Sequence, residues 1–225
     1  MTGLYVRGGG ADENLYLLDG NPVYHVNHLL GFFSAFNPDA IKNTRFYKGS
    51  FPAEYGGRLS SVVDVRMNDG NRQEYHGNIS VGLLSARANL EGPIVKDRSS
   101  FNVSVRRTWL DLITGTALAI VNKNSDTKES FGYHFFDINA KGNHSFSERS
   151  RAYLSFYMGQ DAFRQGSKEK HEDSDDMFLW RWGNLIGSAG WNYVFGQKLF
   201  GNLMVGYSRF RSHIRQEAKG YEIEG

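Results

Sequence analysis

The stretch "FDINAKGN", residues 136–143, alternates strictly between apolar and polar side chains. Apolar or small residues occupy the even positions, and polar or charged residues occupy the odd ones. This period of two predicts a β-strand with one apolar face and one polar face. The same alternation runs through residues 100–106 and 151–161. The second half of the chain is therefore predicted to consist of two-faced strands.

The lengths of these segments and of their connections separate two kinds of β protein. The segments span about 10 residues or more, which is enough for a tilted strand to cross a bilayer, whereas strands of soluble sandwiches usually span about 5 or 6. They are 100–110, 135–143, 149–161, 178–195 and 199–212. Short connections (93–99, 144–148, 196–198) alternate with long polar ones (111–132, 162–177). This alternation favours a transmembrane β-barrel.

The segment "HGNISVGLLSARANLEG", residues 76–92, changes parity in its middle. Its apolar residues fall on odd positions up to Leu83 and on even positions from Leu84. A slip of one residue turns every side chain to the other face of a sheet. We therefore predict a tight hairpin between Leu83 and Ser85, which places both long loops on one rim and the short turns on the other.

Composition excludes several classes of function. The 26 basic and 24 acidic residues nearly balance, and no basic run interleaved with aromatics predicts a nucleic-acid partner. The absence of cysteine excludes disulfides and thiolate metal sites. No apolar run approaches about 18 residues, so no transmembrane helix is predicted. The sequence does not open on a signal peptide, so we expect it to be a piece of a longer protein.

Residues 1–70 have a different character, with short apolar segments separated by turn residues. Residues 15–18 predict a strand closed by the turn dipeptide Asp19-Gly20. The sequence Asn37-Pro38-Asp39 predicts a short helix or turn over 40–42, followed by a strand over 44–47. Together with a β-branched run at 62–65, these elements predict a small α+β unit.

Two stretches of this unit carry a family resemblance: "LYVRGGGADENLYLLDGNPVY" (4–24) and "FNPDAIKNTRFYKGSFPAEYGGRLSSVVDVRM" (36–67). An Arg-Gly element (Arg7-Gly8) precedes an apolar strand that ends in Asp-Gly. A basic-Gly element (Lys48-Gly49) and Tyr55-Gly56 then precede the strand at 62–65. In this order and spacing, the elements resemble the second half of the plug domain of TonB-dependent outer-membrane receptors.

The resemblance implies a mainly β fold, with a small α+β plug in residues 1–70. Residues 71–225 would then form about the first seven antiparallel strands of a transmembrane β-barrel, incomplete in this chain. It further implies a receptor in the outer membrane of a Gram-negative bacterium. Such a receptor binds a scarce large solute and imports it by TonB-driven rearrangement of the plug.

The partners implied by the resemblance are outer-membrane lipid, a TonB-type energy-transducing protein and an extracellular solute such as a siderophore, cobalamin or glycan. We expect the segment that binds TonB to lie outside this chain. The alternative left open by the residues is a soluble β-sandwich that binds a carbohydrate or protein ligand. No nucleophile, acid-base pair or cofactor motif predicts an enzyme.

Candidate site residues follow from the resemblance, because plug loops after the Arg-Gly and Asp-Gly elements face the outer vestibule of such receptors. The implied solute-facing residues are Gly10, Ala11, Asp12, Glu13, Tyr24, His25, Asn27 and His28. The residues implied to fasten the plug to the barrel are Arg7, Lys48, Glu54 and Arg58. No metal site is predicted, since His25 and His28 lack the third and fourth ligands that such a site needs.

The polar face of the predicted barrel strands is also basic. Its cationic residues are expected to be Arg87, Arg106, Lys141, Arg151 and Arg181. Such a face would suit either a plug or an anionic ligand, although any barrel lumen is polar.

Overall fold

The structure is a computed structural model that describes residues 6, 10, 13–48, 52, 55, 60–169, 175–218 and 221–224. Its first part is a four-stranded sheet formed by β1 (Asn14–Leu18), β2 (Asn21–Pro22), β5 (Ile41–Tyr47) and β6 (Ser61–Met67). A two-stranded ribbon pairs β3 (Asn27–His28) with β4 (Phe33–Ser34). We call the described residues from 6 to 67 the plug unit.

The four-stranded sheet has the order β2-β1-β6-β5. Its two central strands, β1 and β6, run parallel, and the two outer pairings are antiparallel. Strand β6 is buried along almost its whole length, as expected for a β-branched strand covered on both faces. This strand is the centre of the plug unit.

The local predictions for the plug unit are confirmed, with small shifts of boundary. The turn after β1 has positive φ at both Asp19 (46°) and Gly20 (84°), which suits a tight hairpin turn. The predicted short helix is a 3-10 turn at Pro38–Ala40 instead of 40–42. It starts earlier because Pro38 fits the first helical position and Asn37 accepts the Asp39 N–H at 3.2 Å.

The second part is one antiparallel sheet of eight strands, which we call the wall. Its strands are β7 (His76–Val81), β8 (Ser85–Val95), β9 (Ser99–Thr108), β10 (Thr127–Ser147), β11 (Ser150–Glu169), β12 (Asp175–Val194), β13 (Phe200–Ala218) and β14 (Tyr221–Glu224). Neighbours in sequence are neighbours in the sheet throughout. Among the described residues, β7 and β14 are its two edges, so the barrel is not closed.

The predicted hairpin between Leu83 and Ser85 is confirmed. It is closed by a hydrogen bond from Gly82 N–H to Ser85 O of 2.8 Å. The connections at 82–84 and 109–126, and the ends of β11 at Glu169 and of β12 at Asp175, share one edge of the wall, the loop rim. Those at 96–98, 148–149 and 195–199 share the opposite edge, the turn rim.

Both predicted long loops are wrong in their extent. Residues 162–169 and 175–177 continue β11 and β12, and their pairing runs from Ala162 with Arg181 to Lys168 with Asp175. Polar residues can remain in a strand because neighbouring strands satisfy their backbone groups. The other segment contains helix α1 (Leu110–Val121), where a mostly apolar run replaces the expected polar loop.

The two faces of the wall have reversed polarity compared with a soluble sheet. The inward face, against the plug unit, buries polar side chains, among them Asn102, Ser104, Asp137, Asn139, Lys141, Asn143, Asp161 and Ser188. The outward face exposes apolar ones, among them Leu90, Val103, Leu154, Phe156, Leu203 and Val205. The predicted fold class, a small plug and an incomplete antiparallel barrel sheet, is confirmed.

The plug unit and the wall share an apolar core at one level. Leu18, Val23, Val63, Val65 and Met67 of the plug unit pack in one cluster with Tyr157 and Ile186 of the wall. Burying several such side chains contributes roughly 1.5–3 kcal/mol each. This apolar cluster holds the plug unit against the wall, and polar contacts surround the cluster.

Candidate functional site

The inward side chains of β10 contact the plug unit along most of the strand. From the loop rim to the turn rim they are Tyr133, Asp137 and Lys141, which are four residues apart and contact Leu29, His28 and Met67. Because side chains two apart share one face of a strand, a single strand presents this whole series. Strand β10 is therefore one of the strands that hold the plug unit, together with β9, β11, β12 and β13.

His28 lies at the centre of the interface between the plug unit and the wall. Its Nδ1 is 2.7 Å from Asp161 Oδ2, and its Nε2 is 2.9 Å from Asp137 Oδ1. Its ring stacks on Phe135, with the centroids 4.2 Å apart and the planes at 7°. The side chain is only 3% exposed. Both ring nitrogens thus face carboxylates of the wall.

The two carboxylates are held by further donors of the wall. The Arg106 Nε–H donates to Asp137 Oδ2 at 2.8 Å, and the Tyr133 hydroxyl donates to Asp161 Oδ1. The Tyr133 oxygen in turn accepts the Leu29 N–H at 2.6 Å, and Arg106 Nη2 donates to Ser34 O at 2.7 Å. The network therefore reaches the plug unit at three separate places.

The charges of this network balance when His28 is protonated and both carboxylates are ionised. With imidazolium, two cations (His28 and Arg106) face two carboxylates (Asp137 and Asp161), all of them buried. Burial by itself would lower the pKa of His28, but hydrogen bonds and the charges of both carboxylates outweigh it and raise the pKa to about 9. This raised pKa favours the protonated form of His28 at neutral pH.

A second charged group joins the same two parts nearer the turn rim. Lys141 Nζ of β10 lies 3.2 Å from Asp19 Oδ2 and 3.2 Å from Asp69 Oδ1, and it donates to Met67 O at 3.1 Å. Lys42 and Arg151 also contact Asp69, at 2.8 and 3.0 Å. Although partial burial opposes it, these three cations hold the pKa of Asp69 well below its usual range. Asp69 thus anchors the chain where it leaves β6.

Neutral hydrogen bonds complete the interface. Asn37 Nδ2–H donates to Ser104 Oγ at 2.7 Å, and Ser208 Oγ–H donates to Pro22 O at 2.5 Å. Asn21 donates to the Ser188 hydroxyl. Gly206 lies opposite Ser188 on β13, and a Cβ there would overlap the Asn21 side chain. Glycine at 206 thus allows the close approach of the plug unit.

The predicted solute-facing residues fall into different environments. Tyr24 is exposed, and His25 is half-buried between Trp182 and Phe210, with ring centroids 6.0 and 6.1 Å away. Asn27 is half-buried, whereas His28 lies in the interface described above. Gly10 N–H donates to Glu13 Oε2 at 3.0 Å in a local turn. Ala11 and Asp12 lie outside the described residues.

The residues predicted to fasten the plug lie mostly outside the described part of the chain, namely Arg7, Glu54 and Arg58. Lys48 is exposed, and its Nζ lies 5.6 Å from the ring centroid of Phe46 within the plug unit. The role of these four residues stays a prediction. The sequence showed that Asp137, Asp161 and Lys141 lie on the polar face, but it did not pair them with His28, Asp19 or Asp69.

One of the predicted inward cations faces the other way. Arg87, Arg106, Lys141 and Arg151 face the plug unit, and each has a carboxylate within ion-pair distance. The prediction for Arg181 is wrong. Trp182, not Arg181, pairs with the inward residue Asp161, so Arg181 lies on the outward face. A one-residue change of parity decides this orientation.

Toward the loop rim, the inward face of the wall continues beyond the plug unit as an aromatic surface. Phe163 packs against Phe131 and Phe178, at 5.5 and 6.0 Å between ring centroids, and Trp180 against Trp182 at 4.1 Å. A concave region of about 640 Å³ lies there. The side chains that line it include Glu129, Phe131, Gln165, Asp176, Phe178 and Gln216.

The described residues include no group of three or more His, Asp or Glu side chains placed to hold a metal ion. Within the same ranges, no helix is both long enough and apolar enough to cross a membrane.

The fold and the interface define a plug unit seated on the polar face of an unclosed barrel sheet. Residues 1–63 match the family model described as "TonB-dependent Receptor Plug Domain". Residues 1–63 therefore match the plug-domain family, and the resemblance seen in this part of the sequence is confirmed. No curated protein sequence matches the chain significantly.

Three solved structures are similar to this chain at low identity. They are the siderophore receptor PirA from Acinetobacter baumannii (15% identity, TM-score 0.45), a mutant of the ferric enterobactin receptor PfeA from Pseudomonas aeruginosa (14%, 0.47) and the siderophore receptor PirA from Pseudomonas aeruginosa (16%, 0.43). The matches cover 93, 93 and 99% of this chain and 41, 42 and 46% of those structures. The chain thus spans less than half of their length.

Proposed function

We propose that this chain is the plug and first wall segment of an outer-membrane receptor that binds a large solute at the loop rim and imports it. The division near residue 70, with plug before it and barrel after it, is part of this proposal. The observation that carries it is the placement of the plug domain: it occupies the polar face of a sheet whose other face is apolar. That arrangement suits a barrel in lipid with its lumen occluded.

The polar nature of the interface supports a plug that moves. A purely apolar contact would not select one position of the plug unit on the wall, whereas paired charges do. When the plug rearranges, water can replace each partner of such a pair. His28, Lys141 and Asp69 are the charged contacts that such a movement would have to break. Energy for it would come from a TonB-type protein, and the described residues include no segment assigned to that contact.

Solute docking is proposed at the aromatic surface toward the loop rim, next to Tyr24 and His25 of the plug unit. Asn27, Gly10, Ala11, Asp12 and Glu13 belong to the same proposal. His28 contributes there only indirectly, since both its ring nitrogens are engaged with the wall. Siderophore, cobalamin and glycan are all retained as solute classes.

The membrane part of the proposal is tested on the whole protein that carries this chain. Leu154 is 68% exposed on the outward face, so Leu154→Arg is expected to destabilise the barrel in lipid by about 2 to 4 kcal/mol. Gln165→Arg, on the inward face of the same strand near the loop rim, is the matched control and is expected to be tolerated. A detergent-free monomer in the soluble fraction, with equal effects of both variants, would support the soluble β-sandwich instead.

The import part is tested by solute binding and by its energy dependence. Trp180 and Trp182 border the proposed docking surface, so a bound solute is expected to change tryptophan fluorescence. A panel of ferric siderophores, cobalamin and oligosaccharides would identify the class. Uptake of the member that binds should be lost in cells without TonB, and uptake unchanged in those cells would overturn the proposed mechanism.

A further inference from the structure

The wall presents two unlike surfaces to the plug unit. Asn184 and Ser188 contact the plug unit, so the even-numbered residues of β12 face inward, and the register places the even-numbered residues of β13 on the same face. These positions, from 182 to 194 and from 200 to 212, hold no Asp, Glu, Lys, Arg or His. The inward faces of β8–β11 differ, since they carry Arg87, Arg106, Asp137, Lys141, Arg151 and Asp161.

The contacts of the plug unit with β8–β11 include ion pairs. Lys141 Nζ lies 3.2 Å from Asp19 Oδ2, and Arg87 Nε lies 3.2 Å from Asp39 Oδ2. His28 adds the two carboxylate contacts described above. Asp19 and His28 are buried, so their separation from the wall leaves a charge without its partner until water reaches it, and this is costly. The plug unit is therefore held most firmly on this side.

The polar contacts of the plug unit with β12 and β13 are uncharged and local. On β12, Asn184 Oδ1 accepts the Tyr24 N–H at 3.3 Å, and Asn184 Nδ2–H donates to His25 O at 2.8 Å. The hydrogen bonds of Asn21 and Pro22 described above belong to the same short segment after β1. The net contribution of a neutral hydrogen bond is small, because water replaces each partner. The shared apolar core does not favour either side, since it includes one residue of β11 and one of β12.

We propose that the plug unit separates from β12 and β13 before it separates from β8–β11. The uncharged contacts break first, and the ion pairs with β8–β11 break later. An opening formed in this order lies along the inward faces of β12 and β13, where Asn184, Ser188, Gly206 and Ser208 present amide, hydroxyl and backbone groups. The use of this opening by an imported solute rests on the proposed function. Because these inward faces carry no fixed charge, they would retain neither an anionic nor a cationic solute through ion pairs.

The order of separation is tested by thiol labelling of the whole protein in detergent micelles. This chain has no cysteine, so a single cysteine variant reports one position in a protein without other cysteines. Ser188→Cys on β12 and Ser104→Cys on β9 are matched, because each serine is buried and accepts a hydrogen bond from an asparagine of the plug unit. At pH 7, in urea below the concentration that unfolds the barrel, a maleimide is expected to label Ser188→Cys at least tenfold faster than Ser104→Cys.

Two further variants make the test specific to the ion pairs. Asn184→Cys, a second probe on β12, should be labelled as fast as Ser188→Cys and replaces it if that variant does not fold. Adding Lys141→Gln should accelerate the labelling of Ser104→Cys at least tenfold and should change that of Ser188→Cys less than twofold. Equal labelling of the two serine variants, faster labelling of Ser104→Cys, or no response of Ser104→Cys to Lys141→Gln would overturn the inference.

The labelling assay needs neither solute nor TonB, so its failure is distinct from failure of the proposed function. Uptake that depends on TonB, together with equal labelling of the two serine variants, contradicts only the order of separation. The expected labelling, together with uptake that is unchanged in cells without TonB, contradicts the import mechanism and supports the order of separation.

Discussion

His28 Nδ1 of the plug unit lies 2.7 Å from Asp161 Oδ2 of the wall, a residue 133 positions later in the chain. The contact is buried, and it is one of two carboxylate contacts of the same imidazole. A cationic side chain thus joins two wall strands, β10 and β11, to the plug domain. We therefore expect the stability of the contact between the plug unit and the wall to depend on the protonation of His28.

The first prediction concerns pH. The pKa of His28 in the folded protein, about 9, is above its unfolded value of about 6.5. The stabilisation is therefore fully present below about pH 6.5 and is lost as the pH rises through about 9. The difference corresponds to about 3 kcal/mol. We therefore expect the guanidinium chloride concentration at which half of the plug is released to decrease as the pH is raised from 7 to 10. A fluorophore attached at Lys48→Cys would report this release.

Two histidine variants make this prediction specific. His28→Gln should remove the fall in midpoint above pH 7, because the titrating group is gone. His25→Gln should leave it unchanged, because burial lowers the pKa of His25 and keeps this residue neutral in that range. If both variants behave alike, His28 is not the group responsible.

The second prediction compares two lysines that contact the same carboxylate. Lys141 is 7% exposed and Lys42 is 53% exposed, and both lie within 3.2 Å of Asp69. Lys141→Gln should destabilise the contact between the plug unit and the wall by about 3 to 5 kcal/mol, because it removes the ion-pair partner of the buried Asp19. Lys42→Gln should cost less than about 1 kcal/mol, as exposed pairs do. If both variants lower the guanidinium chloride midpoint by the same amount, the buried Lys141 contact does not stabilise the interface more than the exposed Lys42 contact.

The third prediction concerns close approach. Gly206→Ala should destabilise plug seating by about 1 to 3 kcal/mol, because the added methyl group overlaps Asn21. Gly142→Ala on β10 is the control, since nothing lies within 4 Å of a Cβ at that position. Denaturation midpoints of the two variants in the same micelles provide the measurement. An unaffected Gly206→Ala protein would show that the plug unit does not sit against β13.

Most of the strand faces could be predicted from the sequence, because the period of two is fixed by backbone geometry. Residues 136–143 show it, since every odd position there is buried and polar in the structure. The hairpin at 82–84 was likewise predictable from a change of parity. Where the parity was ambiguous, as near Trp180 and Trp182, Arg181 was placed on the wrong face.

The interface itself could not be predicted from the sequence alone. The carboxylates that contact His28 belong to β10 and β11. Their height along the wall depends on the pairing register of these two strands, which lie more than 100 residues after His28 in the sequence. His28 was expected to face a solute because its loop belongs to the plug surface, whereas the stacked Phe135 ring and two carboxylates draw it into the wall. The strand residues at 162–169 and 175–177 could not be predicted, because polar composition reflects exposure to water and not the absence of strand pairing.

The most direct test of this account is an NMR titration of His28 in the whole protein, with ¹⁵N-labelled histidine and His28→Gln for assignment. We expect both ring nitrogens to carry protons at pH 7 and the resonance to titrate near pH 9. We further expect Asp161→Asn to move the titration toward the ordinary value of about 6.5. A titration of wild-type His28 at or below about 6.5, with one protonated nitrogen at pH 7, would contradict the central claim.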